Sequence, residues 1–400
     1  MLDSCYPLNL AVSQTSQRHI LVITRTFLPA EGGIEEYVYS RCLQDPDKVI
    51  LLTAGSCDTS FFDNQQPFLI YRWWLPGWLP SNAWGRILKQ ILNMVGAFMM
   101  ALRLSARYSF CSIEWCHGYD FPAFLLLTYV LPVKAFIYLH GNDLLCPLKL
   151  PVIKSLFRLT LQRLEGVICN SSFTEQYLRS HLPIALNTYI INPTVRTTKF
   201  RSYALAGSSS GQQIRHRYGI SNEATVLLSV GRLVKRKGFD RVIRNLPHLL
   251  AQGLDVHYII CGRGAMQAEL ESLVTTLGLA KHIHFAGFVP DQDLAQYYAA
   301  CDVFTMLTTF EVSAGSIEGF GIVYAEAGYF SKPVLATNVG GVVDAVHHEK
   351  NGLLVAANDD EGIAHALVRL CRDPQLRERL GNMGRQLALK EIPHRLIYQG

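Results

Sequence analysis

The sequence predicts an α/β protein built of two doubly wound, Rossmann-like domains facing each other across a cleft. Three observations carry that expectation. Short β-branched runs alternate with longer helical patterns from Ile20 onward, the alternation stops between Asn192 and Asn222, and it then restarts. The chain's 400 residues also exceed what one domain usually holds. Continuous apolar strands separated by helices describe parallel sheets covered on both faces. In such folds ligands bind beyond the carboxyl ends of the strands.

Taken in order, HILVITRTF reads as a strand and IEEYVYSRCL, after Gly32-Gly33, as a helix. KVILLTA and FLIYRWW are strands, and Trp84 to Arg107 is a long, mostly apolar helix. CSIEWCH, AFIYLHG, GVICNSS and NTYIINP complete the first parallel set. The apolar stretch from Phe121 to Leu139 is cut by Pro122, Pro132 and Lys134, whereas a bilayer span needs about 20 unbroken apolar residues. It reads as a buried helix followed by a buried strand. Residues 196–222, with SSSG near their centre, read as a linker. Beyond it TVLLSVG, DVHYIICG, HIHFAGF, DVFTML, PVLATNVGG and GLLV are strands, and GFDRVIRNLPHLLAQ and DQDLAQYYAAC are helices. The expected division is a first domain at 1–195, the linker at 196–222, a second domain at 223–385 and a terminal segment at 386–400.

Composition narrows the class. With 49% hydrophobic and 17% charged residues the chain can bury large cores and is not disordered. The formal net charge is +5, and residues 1–200 hold 17 Lys and Arg against 13 Asp and Glu. That balance permits contact with anionic lipid without demanding it. Without a long basic run, nucleic acid is not an expected partner. Ten cysteines are scattered with no CxxC, several inside apolar runs such as VICN and YIICG. Buried, reduced thiols of a cytosolic protein explain this better than disulfides or zinc. The amino terminus lacks the basic-then-apolar pattern of a signal peptide. The expected location is the cytoplasm, with peripheral contact at the inner face of a membrane left open.

The chemistry concentrates between Phe310 and Gly340, where EGFGIVYAE sets Glu318 and Glu326 eight positions apart. Gly319 and Gly321 bracket Phe320, and a helix-forming run begins at Ile322. Glycines uncover backbone N–H groups at a helix start, where the dipole favours anions, so this is a candidate phosphate seat. Carboxylates only accept hydrogen bonds. Glu318 ahead of the seat and Glu326 in the second turn therefore suit hydroxyl-rich groups on either side of a diphosphate. An ordinary glycine-started helix with two exposed acids reads equally well from the spacing alone.

Other motifs gather at predicted strand ends. Gly32-Gly33 forms a turn able to approach a phosphate or sugar, while Glu35 and Glu36 fit a dipole-favoured surface as well as a ligand. SVGRLVKRKGFD sets Arg232 just past a strand and Lys237 before a helix, a spacing that can clamp a diphosphate. Lys235 and Arg236 fit a solvated basic loop. CGRGAMQAEL adds a weak GxG with Arg263 beside it. His140 ends a strand and can donate to a sugar hydroxyl, with His117 the poorer candidate. The triplets Asp45-Pro-Asp47 and Asp291-Gln-Asp293 look structural, the second opening a helix where acids are favoured. No His/Cys cluster has metal-ligand spacing, and neither a metal nor another cofactor is expected.

Together these residues resemble retaining glycosyltransferase family 4, whose members adopt the GT-B fold. The matching features come in family order: Gly32-Gly33, His140, SVGRL…KG, GFVP…YYAACDVF, EGFGIVYAEAG, NVGG and NGLLV. EGFGIVYAEA and GGIEEY look most like bacterial mannosyltransferases acting on phosphatidylinositol mannosides. The resemblance implies that Glu326 holds the ribose hydroxyls, and that Glu318 with the backbone from Phe320 to Ile322 holds sugar and phosphates. It also implies that Arg232 and Lys237 bind the diphosphate, that His140 sits beside the transferred sugar, and that no metal is required. Gly32, Gly33, Arg263, Val289, Asp291 and Gly319 complete the expected nucleotide-sugar site. The implied partners are a nucleotide sugar and a lipid or glycan acceptor. Asp291, near the family's base pocket, could pair with guanine N1–H and N2–H₂; capping its helix is the competing reading. The alternatives are a UDP-sugar-dependent glycosyltransferase of polysaccharide or glycolipid assembly, a nucleotide-sugar epimerase or phosphorylase on the same plan, or a non-catalytic binder. Family members end in a helix crossing back onto the first domain, and here KEIPHRLIYQG leaves little room for one.

Overall fold

The structure, a computed structural model, describes residues 18–55, 59–76, 78, 82–200, 209–311, 316–390 and 393–398. The stretch read for a signal sequence, Cys5, Cys57 and residues 201–208 of the expected linker lie outside them.

The β-branched runs form thirteen strands in two sheets. The first holds β1 (His19–Thr24), β2 (Val49–Ala54), β3 (Leu69–Trp73), β4 (Phe110–Trp115), β5 (Lys134–Leu139), β6 (Gly166–Cys169) and β7 (Thr188–Ile190) in the order β3-β2-β1-β4-β5-β6-β7. The second holds β8 (Thr225–Val230), β9 (Val256–Cys261), β10 (Ile283–Gly287), β11 (Val303–Met306), β12 (Val334–Thr337) and β13 (Gly352–Val355) in the order β10-β9-β8-β11-β12-β13. Neighbouring strands pair in parallel, as in Ile20 with Val49 and Leu227 with Tyr258. Both orders reverse beside the first strand of their sheet, at β1/β4 and β8/β11, and a crevice opens where such a reversal occurs.

Alternate residues serve opposite faces, so each strand is buried twice over. In β1, Leu21 and Ile23 join one core with Trp115 and Phe124, while Ile20 and Val22 join another with Tyr37 and Tyr138. The second core contains a buried ion pair. Arg41 donates from Nη2 to Glu114 Oε1 at 2.7 Å and from Nε to Oε2 at 2.8 Å, with both side chains fully buried. Asp45 accepts from the same guanidinium at 3.1 Å, which gives the first acidic triplet a structural role.

The helix from Ala83 to Ser105 begins at Asn82, whose side chain accepts from Gly85 N–H at 2.8 Å. Its Asn93 accepts from Trp73 Nε1 at 3.2 Å, tying it to β3. The helix Phe121–Val130 and strand β5 stand where the apolar stretch is cut, but Leu126, Tyr129 and Val130 are exposed. Burial there is confined to one side of the helix.

Within the expected linker, residues Ser209–Arg217 are helical and pack on the helix Asp291–Ala300. Polar composition hides this because Arg215 works as a structural strut. Its guanidinium donates to the Ala224 and Ala300 carbonyls and pairs with Asp302 at 2.7 Å. At the other end, the helix Pro374–Ala388 packs on Ile322–Tyr329, with Gly328 against Gly384. The chain then returns to the first domain. His394 N–H donates to Gln44 Oε1 at 2.7 Å, Ile397 is buried in that core, and Tyr398 OH bonds to Glu114. The 3₁₀ turn His394–Tyr398 carries these contacts.

Candidate functional site

A cavity of about 660 Å³ lies at the carboxyl ends of both sheets. Its wall contains every residue singled out in the sequence as catalytic or nucleotide-sugar-binding, from Gly32 and His140 in the first domain to Arg232, Asp291 and Glu326 in the second. The two domains meet there closely. A Cβ added at Gly33 would lie 3.8 Å from the Ile322 side chain, and one at Gly319 would lie 1.9 Å from the His140 carbonyl. Asn142 Oδ1 accepts from Ile317 N–H at 2.9 Å, and Asp344 accepts from Ser172 N–H at 2.7 Å. His140 is thereby held beside the EGFG turn.

The helix Ile322–Tyr329 starts after Gly321, whose φ of 85° lies in the left-handed region that glycine tolerates. Phe320 turns its ring into the second domain's core, leaving its backbone to the cavity. Glu318 precedes the turn and is held by two cations, Arg236 Nη1 at 2.7 Å and Lys237 Nζ at 2.5 Å. Burial raises its pKa, but the two cations outweigh burial and hold it at about 2. Lys237 is pushed down by burial, against the pull of Glu318. Arg236 therefore belongs to the site rather than to a solvated loop. By contrast Arg232 is exposed in the cavity wall and has no acidic partner among the described residues.

A second charge cluster closes the opposite end. Lys199 Nζ lies 2.8 Å from Asp291 Oδ1 and 2.9 Å from Glu326 Oε1. Glu326 Oε2 accepts from Tyr298 OH at 2.8 Å. Arg196 bridges the domains, binding Glu36 through two bonds of 2.7 Å and Asp291 Oδ2 at 3.1 Å. Two expectations change here. Glu326 is buried rather than exposed, and Asp291 spends both oxygens on cations instead of capping its helix, whose cap is Pro290. The sequence gives no local sign of Lys199 or Arg196, because a basic residue in a polar stretch does not reveal its distant partner; Arg236 reads there as a solvated loop, and Glu36 as a surface acid as readily as a ligand contact.

His140 Nε2 lies 2.9 Å from the Cys116 carbonyl, which can only accept, so Nε2 carries the hydrogen. In the neutral ring Nδ1 is then an acceptor. His140 would take a hydrogen bond from a sugar hydroxyl rather than donate one. His117 is buried away from the cavity, and its Nε2 accepts from Arg25 N–H at 2.9 Å. Of the eight cysteines described, six are buried, and all are free. Folding does bring Asp255, His257 and His282 within 4.8 Å of one another, a grouping their sequence positions conceal. It does not line the cavity.

Two doubly wound domains facing across a ligand cleft, with a tail returning to the first, define the GT-B class of fold. Anabaena HepE, solved in complex with UDP and glucose, superposes with a TM-score of 0.74 over 96% of this chain and 97% of that one, at 20% identity. Residues 211–387 match the family described as glycosyl transferases group 1. It is 31% identical over 247 residues to the GDP-mannose-dependent alpha-(1-6)-phosphatidylinositol monomannoside mannosyltransferase of Mycobacterium tuberculosis, covering 62% of this chain and 63% of that one. It is 24% identical over 385 residues to a GDP-mannose-dependent mannosyltransferase of Corynebacterium glutamicum acting on the monoacylated substrate, covering 93% of each. The chain thus matches somewhat under two thirds of the length of the M. tuberculosis relative.

Proposed function

We propose that this protein is a retaining glycosyltransferase that moves a hexose, mannose from GDP-mannose, onto a lipid or glycan acceptor in the cytoplasm or at the inner face of a membrane. The observation that carries this reading is the division of labour among the cations in one cavity. Arg236 and Lys237 share the one charge of Glu318, Lys199 sits between Asp291 and Glu326, and Arg232 and Arg263, exposed in the wall and without an acidic partner among the described residues, are left to meet a diphosphate. The Gly321 helix start offers N–H groups to the same phosphates. In the displacement we infer, the acceptor oxygen attacks the anomeric carbon on the face from which the phosphate departs. The sugar–phosphate C–O bond breaks, the leaving phosphate oxygen takes the acceptor's proton, and the nucleoside diphosphate leaves. The protein positions the reactants and stabilises the departing charge, with His140 and Glu318 orienting the sugar. The mannosyl donor rests on the relatives' specificity, and the cavity wall falls to residues of both proposed domains, 1–195 and 223–385.

One observation favours a UDP-sugar instead. Both Asp291 oxygens are paired with cations, so this carboxylate is not free to select the edge of a guanine. Calorimetric titration with GDP and UDP separates the two, and mass analysis of products from a donor screen on lipid extract and simple glycans tests transfer itself. Tighter GDP binding and a mannosylated product support the reading. Binding of neither nucleotide, or a donor converted without any acceptor, overturns it.

A further inference from the structure

The helix Ala83–Ser105 is long and apolar enough to cross a membrane, yet it is stitched into the first domain. Asn93, Ala97, Ala101 and Leu104 face the core, Asn93 holds Trp73, and a Cβ at Gly96 would collide with the Trp73 ring. Spanning a bilayer would tear these contacts out. At 100° per residue, Trp84, Ile87, Leu88, Ile91, Val95 and Met99 fall on one stripe on the opposite side. Their exposure runs from 43% to 79%, far beyond the scattered apolar residues of an ordinary surface.

The stripe continues onto its neighbours. The helix Phe121–Val130 packs beside it and exposes Leu126, Tyr129 and Val130. Next to that, Pro151–Gln162 exposes Val152, Ile153, Leu156 and Leu159. Arg163 locks these two together, its guanidinium 3.6 Å from the Tyr129 ring centroid. Trp74 and Trp78, both 76% exposed, precede the first helix.

Charge says what covers this face. Between Asp63 and Glu114 the chain has no acidic residue but carries Arg86, Lys89, Arg103 and Arg107, all exposed. Between Asp143 and Glu165 it has none but carries Lys149, Lys154, Arg158 and Arg163. A second copy would set like charge on like. An anionic lipid surface matches the apolar stripe, the basic flanks and the interfacial tryptophans together.

We propose that the first domain docks in the plane of an anionic bilayer through these three helices. On another side of the same helix Gln90 donates to the Tyr119 carbonyl at 3.5 Å, and Tyr119 lines the cavity, so the helix that carries the stripe also reaches the edge of the cleft. A lipid acceptor would then enter without leaving the membrane. That last step rests on the transferase reading; docking itself does not.

The test is co-sedimentation of the full chain with vesicles of phosphatidylcholine containing about a third phosphatidylglycerol. Binding is expected, falling at least about tenfold on pure phosphatidylcholine, in high salt, or in the triple variant Ile87→Glu, Ile91→Glu, Val95→Glu. Those side chains are exposed, so the variant should keep its melting temperature and its nucleotide titration. Wild-type sedimentation by the triple variant, or equal binding to neutral vesicles, would overturn the proposal. So would a lipid-independent dimer that the triple substitution dissociates. Nucleotide titration reports on the cleft separately, so failure of docking and failure of the transferase reading are told apart.

Discussion

Lys199, from the segment joining the two sheets, sets its ammonium 2.9 Å from Glu326 of the phosphate-seat helix. The lysine side chain is 8% exposed, and Glu326 with Asp291 more than offsets the burial that would otherwise lower its pKa, so it stays charged. The joining segment thereby takes part in the site. Lys199→Met should lower stability by about 3 kcal/mol, because it strands part of the negative charge of two carboxylates in a closed space. It should also weaken nucleotide binding, since Glu326 is no longer held in place. Urea unfolding and calorimetry check the two effects; an unchanged midpoint would show that the pair contributes nothing.

Arg232 and Lys237 should separate cleanly. Arg232→Ala is expected to cut turnover by about two orders of magnitude or more with an unchanged melting temperature, since the side chain is exposed and unpaired. Lys237→Ala should lose turnover and stability together, because Glu318 keeps only Arg236. Steady-state kinetics beside thermal melts decide it. Full turnover in the Arg232 variant would remove that residue from the site.

Glu318 gives a pH signature. Its folded pKa of about 2 lies below the ordinary 4.5. The stability it contributes is therefore complete above about pH 4.5 and is lost as pH falls toward 2. The stability gap between wild type and Glu318→Gln should narrow from about pH 5 to about pH 3 in urea titrations. A gap that widens on acidification would contradict the pairing.

Activity should persist in excess EDTA. The acidic triplet best placed to hold a cation has Asp291 already neutralised by Arg196 and Lys199, and Arg232 can supply positive charge to the diphosphate. Abolition by chelator, with rescue by Mn²⁺ or Mg²⁺, would assign Asp291 and Asp293 the opposite role.

The returning tail should contribute to stability. Ile397 is 2% exposed in the first domain's core, so Ile397→Ala should cost about 2–4 kcal/mol in chemical denaturation. Tyr398→Phe should cost about 1–3 kcal/mol through its bond to the buried Glu114. No loss in either variant would mean that the tail does not rest on this core.

Local patterns determined what was legible from residues alone. Strands and helices follow from hydrophobic period and glycine placement, which act over a few neighbours. Hence the alternation, the Gly321 helix start, and the strand-end positions of His140 and Arg232 could be read directly. Partners could not. Glu318 and Arg236 are 82 positions apart, Glu326 and Lys199 127, and Glu36 and Arg196 160. Only chain folding decides which acid a cation meets. Packing also decided that Ser209–Arg217 forms a helix despite its polarity, and that a carbonyl fixes the His140 hydrogen on Nε2. The long apolar helix makes the same point. Its composition was plain in the sequence, but which stripe faces the core depends on the Trp73 ring against Gly96, a contact between separate elements that period alone does not specify.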